Sequence, residues 1–216
     1  IKLMNKIAKV GTDVFGTAYT VSDAVEAPDA IMVRSAKLHD MPLNPELLAI
    51  ARCGAGVNNI PVEKCAEAGV VVFNTPGANA NAVKELAICA LLLASRDVIG
   101  GINWALTIED KANIAKEVEA GKGQFAGNEL AGKTLGVIGL GAIGGLVANA
   151  AKSLGMKVVG YDPFLSVMGA LHLSRDVKLA ESYEEIFKSS DIISLHVPAT
   201  KDTKGFINDQ AFASMK

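Results

Sequence analysis

The sequence predicts an α/β protein of two domains, each a doubly wound parallel sheet with helices on both faces. Three observations lead there. Short β-rich runs alternate with helical stretches along nearly the whole chain, the pattern that gives parallel sheets covered by crossover helices. The alternation breaks once, at a polar, glycine-bearing stretch over residues 107–127, and restarts at Leu130. A glycine-rich turn, Gly139-Leu140-Gly141-Ala142-Ile143-Gly144, falls where a strand is expected to pass into a helix.

In the first segment, strands are expected near residues 2–7, 30–34, 49–53 and 70–74. Helices are expected between them, for example at 45–48 and 62–68, with Gly69 suited to end the latter because it tolerates positive φ. Val83, Leu86, Ala87, Ala90, Leu91 and Ala94 recur at three- and four-residue steps and predict a long helix over 79–96. It is apolar nearly all round, so it is expected to lie buried between bodies. Residues 107–127 read as a linker or projecting arm carrying a short amphipathic helix around 109–120.

From Leu130 the expected order is strand 134–138, helix 142–154, strand 157–161 and a short strand near Val177. A helix follows, opened by the capping box Ser182-Tyr183-Glu184-Glu185, then a strand over 191–197. Residues 208–216 read as the opening of another helix, so the chain is expected to stop inside an element. The expected domains are 1–97 and 98–216, the second incomplete at its C-terminus.

Composition sets outer limits. At 216 residues, 50% hydrophobic and 20% charged, the chain is an ordinary packed globular one rather than a disordered one. Its 21 Lys and Arg against 23 Asp and Glu leave a net charge of −2. That provides no positive field to hold a polyanion, so nucleic acid is not an expected ligand. The longest apolar run, 86–94, has nine residues, well short of the roughly 20 that cross a bilayer. No sorting signal is legible, and an Ile start suggests that it is not the encoded first residue. A soluble cytoplasmic protein without membrane partners is expected. Cys53, Cys65 and Cys89 match neither a disulfide framework nor a metal motif and read as buried, reduced side chains. His39, His172 and His196 have no ligand at metal-binding spacing, so no metal is expected.

The chemistry concentrates in the glycine turn. Gly139 permits the tight turn, Gly141 lets a pyrophosphate approach the backbone, and Gly144 allows helix and strand to pack closely. The N–H groups of the first helical turn then face the anion. Asp162 ends the next strand 23 residues after Gly139, close to the roughly 20 expected of the acid that binds an adenosine ribose. A carboxylate there accepts from the ribose hydroxyls and repels a 2′-phosphate, so NAD is favoured over NADP. The competing reading is a close-packed turn with a solvated Asp at a strand end; four features at the right spacing weigh against it.

His196 and Pro198 close a predicted strand at the same carboxyl edge, where ligands of open α/β folds collect. No carboxylate adjoins His196 to orient its ring, so a structural or cofactor-lining role is preferred to that of a base. In the first segment, Arg34-Ser35 and the turn Cys53-Gly54-Ala55-Gly56 also follow strands. Arg34 can grip a carboxylate or phosphate through two parallel hydrogen bonds, and the Gly-Ala-Gly turn can present an anion nest. An acidic small molecule is the expected substrate, against the plainer reading of a surface charge and an ordinary turn.

With these residues in place, the chain resembles the D-2-hydroxyacid dehydrogenases. The resemblance rests on residues 52–60, on Val72-Phe73-Asn74-Thr75-Pro76-Gly77 with Glu85-Leu86, on Leu130-Ala131-Gly132-Lys133-Thr134-Leu135-Gly136, on Gly160-Tyr161-Asp162-Pro163 and on 194–198. It implies a flavodoxin-like substrate domain and a Rossmann NAD-binding domain facing each other across a cleft, and oxidation of a 2-hydroxy acid by hydride transfer to NAD. The nearest branch acts on 3-phosphoglycerate at the entrance to serine synthesis. By the same resemblance, Ala142 and Ile143 contact the pyrophosphate, Asp162 the ribose, and Val197 and Pro198 flank adenine and ribose, while Ala55 approaches the nicotinamide. Arg34 and Ser35 lie near the substrate phosphate, with the amides of Ala55 and Gly56 beside its carboxylate.

The sequence departs from the family in places. Ala142 stands where many members carry Arg, Asn58 replaces a usual Asp, Ala55 a frequent Thr, and Lys84 precedes Glu85 where a small residue is common. The family's catalytic Arg, acid and His lie on later strands, so no catalytic residue is expected within 1–216. The chain is therefore expected to be part of a longer dehydrogenase and inactive alone. The alternatives are a glyoxylate or hydroxypyruvate reductase and an NAD-gated, corepressor-like interaction module. A homodimer formed through the arm and the apolar helix is expected, with a flexible linker as the competing reading.

Overall fold

The computed structural model describes residues 1–109 and 112–216, which divide into two units, Ile1–Asn79 and Ala80–Lys216. The first contains β1 (Lys2–Leu3), α1 (Lys9–Thr12), β2 (Ala30–Val33), β3 (Ala49–Arg52), α2 (Val62–Glu67) and β4 (Val71–Phe73). The strands form one parallel sheet in the order β1-β2-β3-β4, with Ile31 opposite Ile50 and Ile50 opposite Val72. Lys2 also makes a parallel bridge to Ser22. Counting that bridge as a vestigial strand gives the order 2-1-3-4-5, the flavodoxin-like arrangement. Ile31, Val33, Leu38, Ile50 and Cys65 are fully buried in its core. Gly69 ends α2 with φ +74°, as its position predicts.

The second unit opens with three helices, α3 (Ala80–Ser95), α4 (Val98–Ala105) and α5 (Ile114–Gly121), and a 3-10 turn, Lys122–Phe125. Then come β5 (Thr134–Ile138), α6 (Gly144–Ser153), β6 (Lys157–Tyr161), α7 (Val167–His172), β7 (Val177–Leu179), α8 (Tyr183–Ser189), β8 (Ile192–Leu195) and α9 (Asp209–Ser214). The sheet is parallel in the order β7-β6-β5-β8, the 3-2-1-4 arrangement of a Rossmann fold. Adjacent strand residues face opposite sides, so Val158 joins Leu135, Val137, Val147 and Ala151 in one core while Val159 joins Ile138, Ile186 and Phe187 in the other. Helices on both faces make the sheet doubly wound.

Several expectations change. Residues 45–48 form a turn, not a helix: the Asn44 side chain accepts the Glu46 N–H, and Leu48 bonds back to Asp29 before β3 begins. The helix expected over 79–96 belongs to the second unit, and it is not buried all round. Only Ala80 and Leu91 are buried, while Leu86 is 71% exposed, because one stripe alone (Ala87, Ile88, Leu91) packs on the α6 core. Cys89 on this helix is exposed and Cys53 half-buried; only Cys65 is buried as expected.

The 107–127 stretch buries none of its described residues, and its end is held to the helices that precede it. The Phe125 ring lies 5.3 Å from that of Trp104 in α4, and Asn128 donates to the Ser95 carbonyl at the end of α3. Its helix begins at Ile114, later than expected, and residues 110 and 111 of the expected helix lie outside the described residues. Ser182 caps α8 by accepting the Glu185 N–H, but the Glu185 carboxylate closes on the Glu181 N–H instead of completing a reciprocal box.

Candidate functional site

In the second unit, the carboxyl ends of β5, β6 and β8 bring the expected cofactor residues to one edge. Gly139 leaves β5 at φ +89°, a conformation that favours glycine, and a Cβ there would meet the backbone of His196 and the Val197 side chain. At Gly144, a Cβ would collide with the Gly139 carbonyl oxygen. At Gly141 a Cβ would meet nothing within 4 Å. Two glycines are thus fixed by packing, and the third leaves the backbone open on its outer side. The exposed or half-buried amides of Ala142 and Ile143 have no acceptor among the described residues. An anion can be received there by N–H groups at a helix start.

Asp162, at the tip of β6, accepts the Leu140 N–H at 2.8 Å and the Phe164 N–H at 2.9 Å. Each oxygen keeps a lone pair for a further donor. A cavity of about 350 Å³ opens beside it, lined by Gly160, Leu165, Ser166, Ala170 and Leu179 among others. His196 follows β8, donating its backbone N–H to Ile138, and its Nε2 lies 2.9 Å from the Ser194 hydroxyl. Burial holds the imidazole pKa below its usual value. Val197 is half-buried against Gly139, and Pro198 is exposed beside it. Behind this edge the Tyr183 ring stands 4.7 Å from Tyr161 and 5.1 Å from Phe206. Burial raises the Tyr183 phenol pKa, with smaller contributions from Tyr161, Asp162 and Asp202.

In the first unit, Arg34, Ser35, Ala55 and Gly56 are all exposed on loops that follow β2 and β3. The backbone amides of Arg34, Ser35 and Ala36 all donate to a single oxygen, Asn5 Oδ1, at 2.9, 2.9 and 3.1 Å. Among the described residues, the Arg34 guanidinium, the Ser35 hydroxyl and the exposed Lys37 ammonium of that loop are left as free donors. The second loop differs. Gly54 turns at φ +150° over the Arg52 guanidinium, and Asn74 holds the Ala55 carbonyl at 2.7 Å. The amides of Ala55 and Gly56 have no acceptor among the described residues.

Sequence reasoning missed the three asparagines that hold these loops: Asn5, Asn74 and the buried Asn59, whose Nδ2 donates to the Ala36 carbonyl. Their partners lie 19 or more residues away in sequence, so no local pattern marks them. Asn74 stands in a family motif but had no role assigned to it.

A parallel sheet in this order, with a glycine turn opening α6 and an acid tied to it from β6, defines a dinucleotide-binding α/β protein. Residues 104–216 match the sequence profile of the D-isomer specific 2-hydroxyacid dehydrogenase, NAD binding domain. The chain belongs to that family and carries its NAD-binding domain. It is similar to D-3-phosphoglycerate dehydrogenase of Methanocaldococcus jannaschii, 36% identical over 100% of this chain and 40% of the relative. It is also similar to hydroxypyruvate reductase of Thermotoga maritima, 38% identical over 87% of this chain and 57% of the relative. Among solved structures it resembles NAD+-bound 3-phosphoglycerate dehydrogenase of Entamoeba histolytica, with a TM-score of 0.63 and 29% identity over 91% of this chain and 59% of that one. The chain thus spans between two fifths and three fifths of the length of these relatives.

Proposed function

We propose that the chain is part of an NAD-dependent dehydrogenase that oxidises a D-2-hydroxy acid carrying a second anionic group, with 3-phosphoglycerate the substrate in serine synthesis. The observation that carries the reading is the pair of loops in the first unit. One presents the exposed Arg34 guanidinium with Ser35, and the other presents the amides of Ala55 and Gly56, which have no acceptor among the described residues. A guanidinium suits a phosphate and paired amides suit a carboxylate. The names of the phosphoglycerate dehydrogenase relatives support the same substrate.

In this reading the bound NAD supplies the hydride acceptor. Gly139, Gly141 and Gly144 shape its seat, the amides of Ala142 and Ile143 receive its diphosphate, and Asp162 holds its adenosine ribose. His196, Val197 and Pro198 line the adenosine side, and Ala55 approaches the nicotinamide. Holding donor and acceptor in contact can lower a barrier by on the order of 7–11 kcal/mol, which gives positioning by these loops its weight.

The test is nicotinamide reduction by the encoded protein with D-3-phosphoglycerate and with glyoxylate or hydroxypyruvate in the reverse direction. A preference for the phosphorylated acid supports the reading; a preference for the unphosphorylated acids would transfer the assignment to a hydroxypyruvate or glyoxylate reductase, a reading favoured by the Thermotoga relative. We further assign a homodimer to this protein. Val98, Ile99 and Ile102 on α4, with Ile114 and Val118 on α5, are exposed apolar side chains of the kind that mark subunit contacts. Light scattering tests it, and a monomer at working concentration contradicts it.

A further inference from the structure

The two anion-binding loops of the first unit are joined by one side chain. Asn59, 8% exposed, closes the loop that begins at Cys53, three residues beyond Gly56. Its Nδ2 donates to the Ala36 carbonyl at 2.8 Å, and its own carbonyl accepts the Leu38 N–H at 2.8 Å. Ala36 directly follows Arg34 and Ser35, and its amide is held from the other side by Asn5. The turn bearing the guanidinium is therefore clamped between Asn5 and Asn59, and Asn59 belongs to the loop bearing the open amides. A segment of three residues spans at most about 10 Å when extended. The tie thus lies close to both anion sites and constrains their separation.

We propose that Asn59 is a positioning residue that sets the distance between the phosphate-binding and carboxylate-binding loops, and so makes the site selective for the length of a dianionic 2-hydroxy acid. The proposal rests on the assignment of those loops under Proposed function. Asn59 touches no substrate atom in this scheme. Its effect is on the spacing of Arg34 and Ser35 relative to Ala55 and Gly56. An acid with only the carboxylate needs one loop and is indifferent to that spacing, whereas one with both charges needs the two loops in register.

The experiment compares D-3-phosphoglycerate with D-glycerate, the same acid without its phosphate, using the encoded protein with NAD. Asn59→Asp keeps the shape and removes the donor; Asn59→Ala removes the side chain. Both are expected to reduce the ratio of kcat/KM for the two acids by at least tenfold through a raised KM for D-3-phosphoglycerate. NAD affinity and kcat with D-glycerate are expected to stay within about twofold. Asn5→Ala, at a half-buried position, releases the same turn from its other side and is expected to reduce the ratio likewise, so a misfolded Asn59 variant does not remove the test. Equal losses with both acids would reveal a merely structural role and overturn the proposal, as would an unchanged ratio. An original protein that shows no preference for the phosphorylated acid overturns the loop assignment itself, a result distinct from the other two.

Discussion

The carboxylate of Asp162 accepts the backbone N–H of Leu140 at 2.8 Å, which ties the tip of β6 to the glycine turn that opens α6. The acid and the turn are thereby one rigid element, placed before any nucleotide arrives. Asp162→Ala would leave the partly buried Leu140 amide without its acceptor, a cost of about 1–3 kcal/mol. It would also remove the group assigned to the ribose. NAD affinity should fall by about 10- to 100-fold, the equivalent of roughly 1.4–2.8 kcal/mol, and discrimination against NADP should collapse. Calorimetric titration with both dinucleotides measures this, and unchanged coenzyme choice would sink the ribose assignment.

Gly144 and Gly141 should respond differently to the same substitution. A Cβ at Gly144 collides with the Gly139 carbonyl, and backbone cannot move aside cheaply, so Gly144→Ala should destabilise the second unit by about 1–3 kcal/mol or more. At Gly141 there is open space. Gly141→Ala should leave the urea midpoint unchanged yet weaken NAD about tenfold, since its methyl group projects where the diphosphate is assigned. Denaturation curves paired with NAD titrations separate the two effects; equal losses of stability in both variants would contradict the argument.

How much of this was legible in the sequence depends on how local each determinant is. Strands 134–138 and 157–161 stand as expected, because a β-rich run bounded by Gly and Lys or Asp carries its own limits. The α4 helix was not foreseen: Gly100 and Gly101 argue against a helix there. It forms with the Asp97 side chain accepting the Gly100 N–H. The four-residue run at 45–48 is too short to hold a helix against the Asn44 turn. In the site, the glycine turn and Asp162 are readable because a dinucleotide seat needs glycines at fixed steps and an acid roughly 20 residues on, even though the Asp162–Leu140 bond itself spans 22 residues. The clamp by Asn5 is not, since it meets Arg34 29 residues away only after β1 and β2 have paired.

Arg34 makes no ion pair among the described residues, and its loop amides are occupied by Asn5, so its exposed guanidinium is, beside Lys37, a free charge of that loop. Arg34→Ala should therefore spare stability, within about 0.5 kcal/mol as for other exposed positions. The loss of a charge-assisted pair to phosphate, about 1.5–3 kcal/mol, should appear as a KM for D-3-phosphoglycerate raised by more than tenfold, with NAD affinity unchanged. Steady-state kinetics on the encoded protein decide the point. A KM that does not move would place the phosphate elsewhere.

His196 should make the second unit sensitive to mild acid. Burial lowers its pKa in the folded state below the ordinary value of 6.5 that the unfolded chain retains. Between those two values the unfolded chain binds more protons than the folded one, so stability rises with pH across that interval. The contribution of a neutral His196 is thus fully present above about pH 6.5 and is lost as pH falls toward the depressed folded value. The ring is half-buried, with its Nε2 2.9 Å from the Ser194 hydroxyl. Urea midpoints at pH 7.5, 6.5 and 5.5 should decline in the original protein and decline less in His196→Gln, which has no proton to gain. Identical pH dependence in the two proteins would show that the imidazole stays solvated and carries none of the effect.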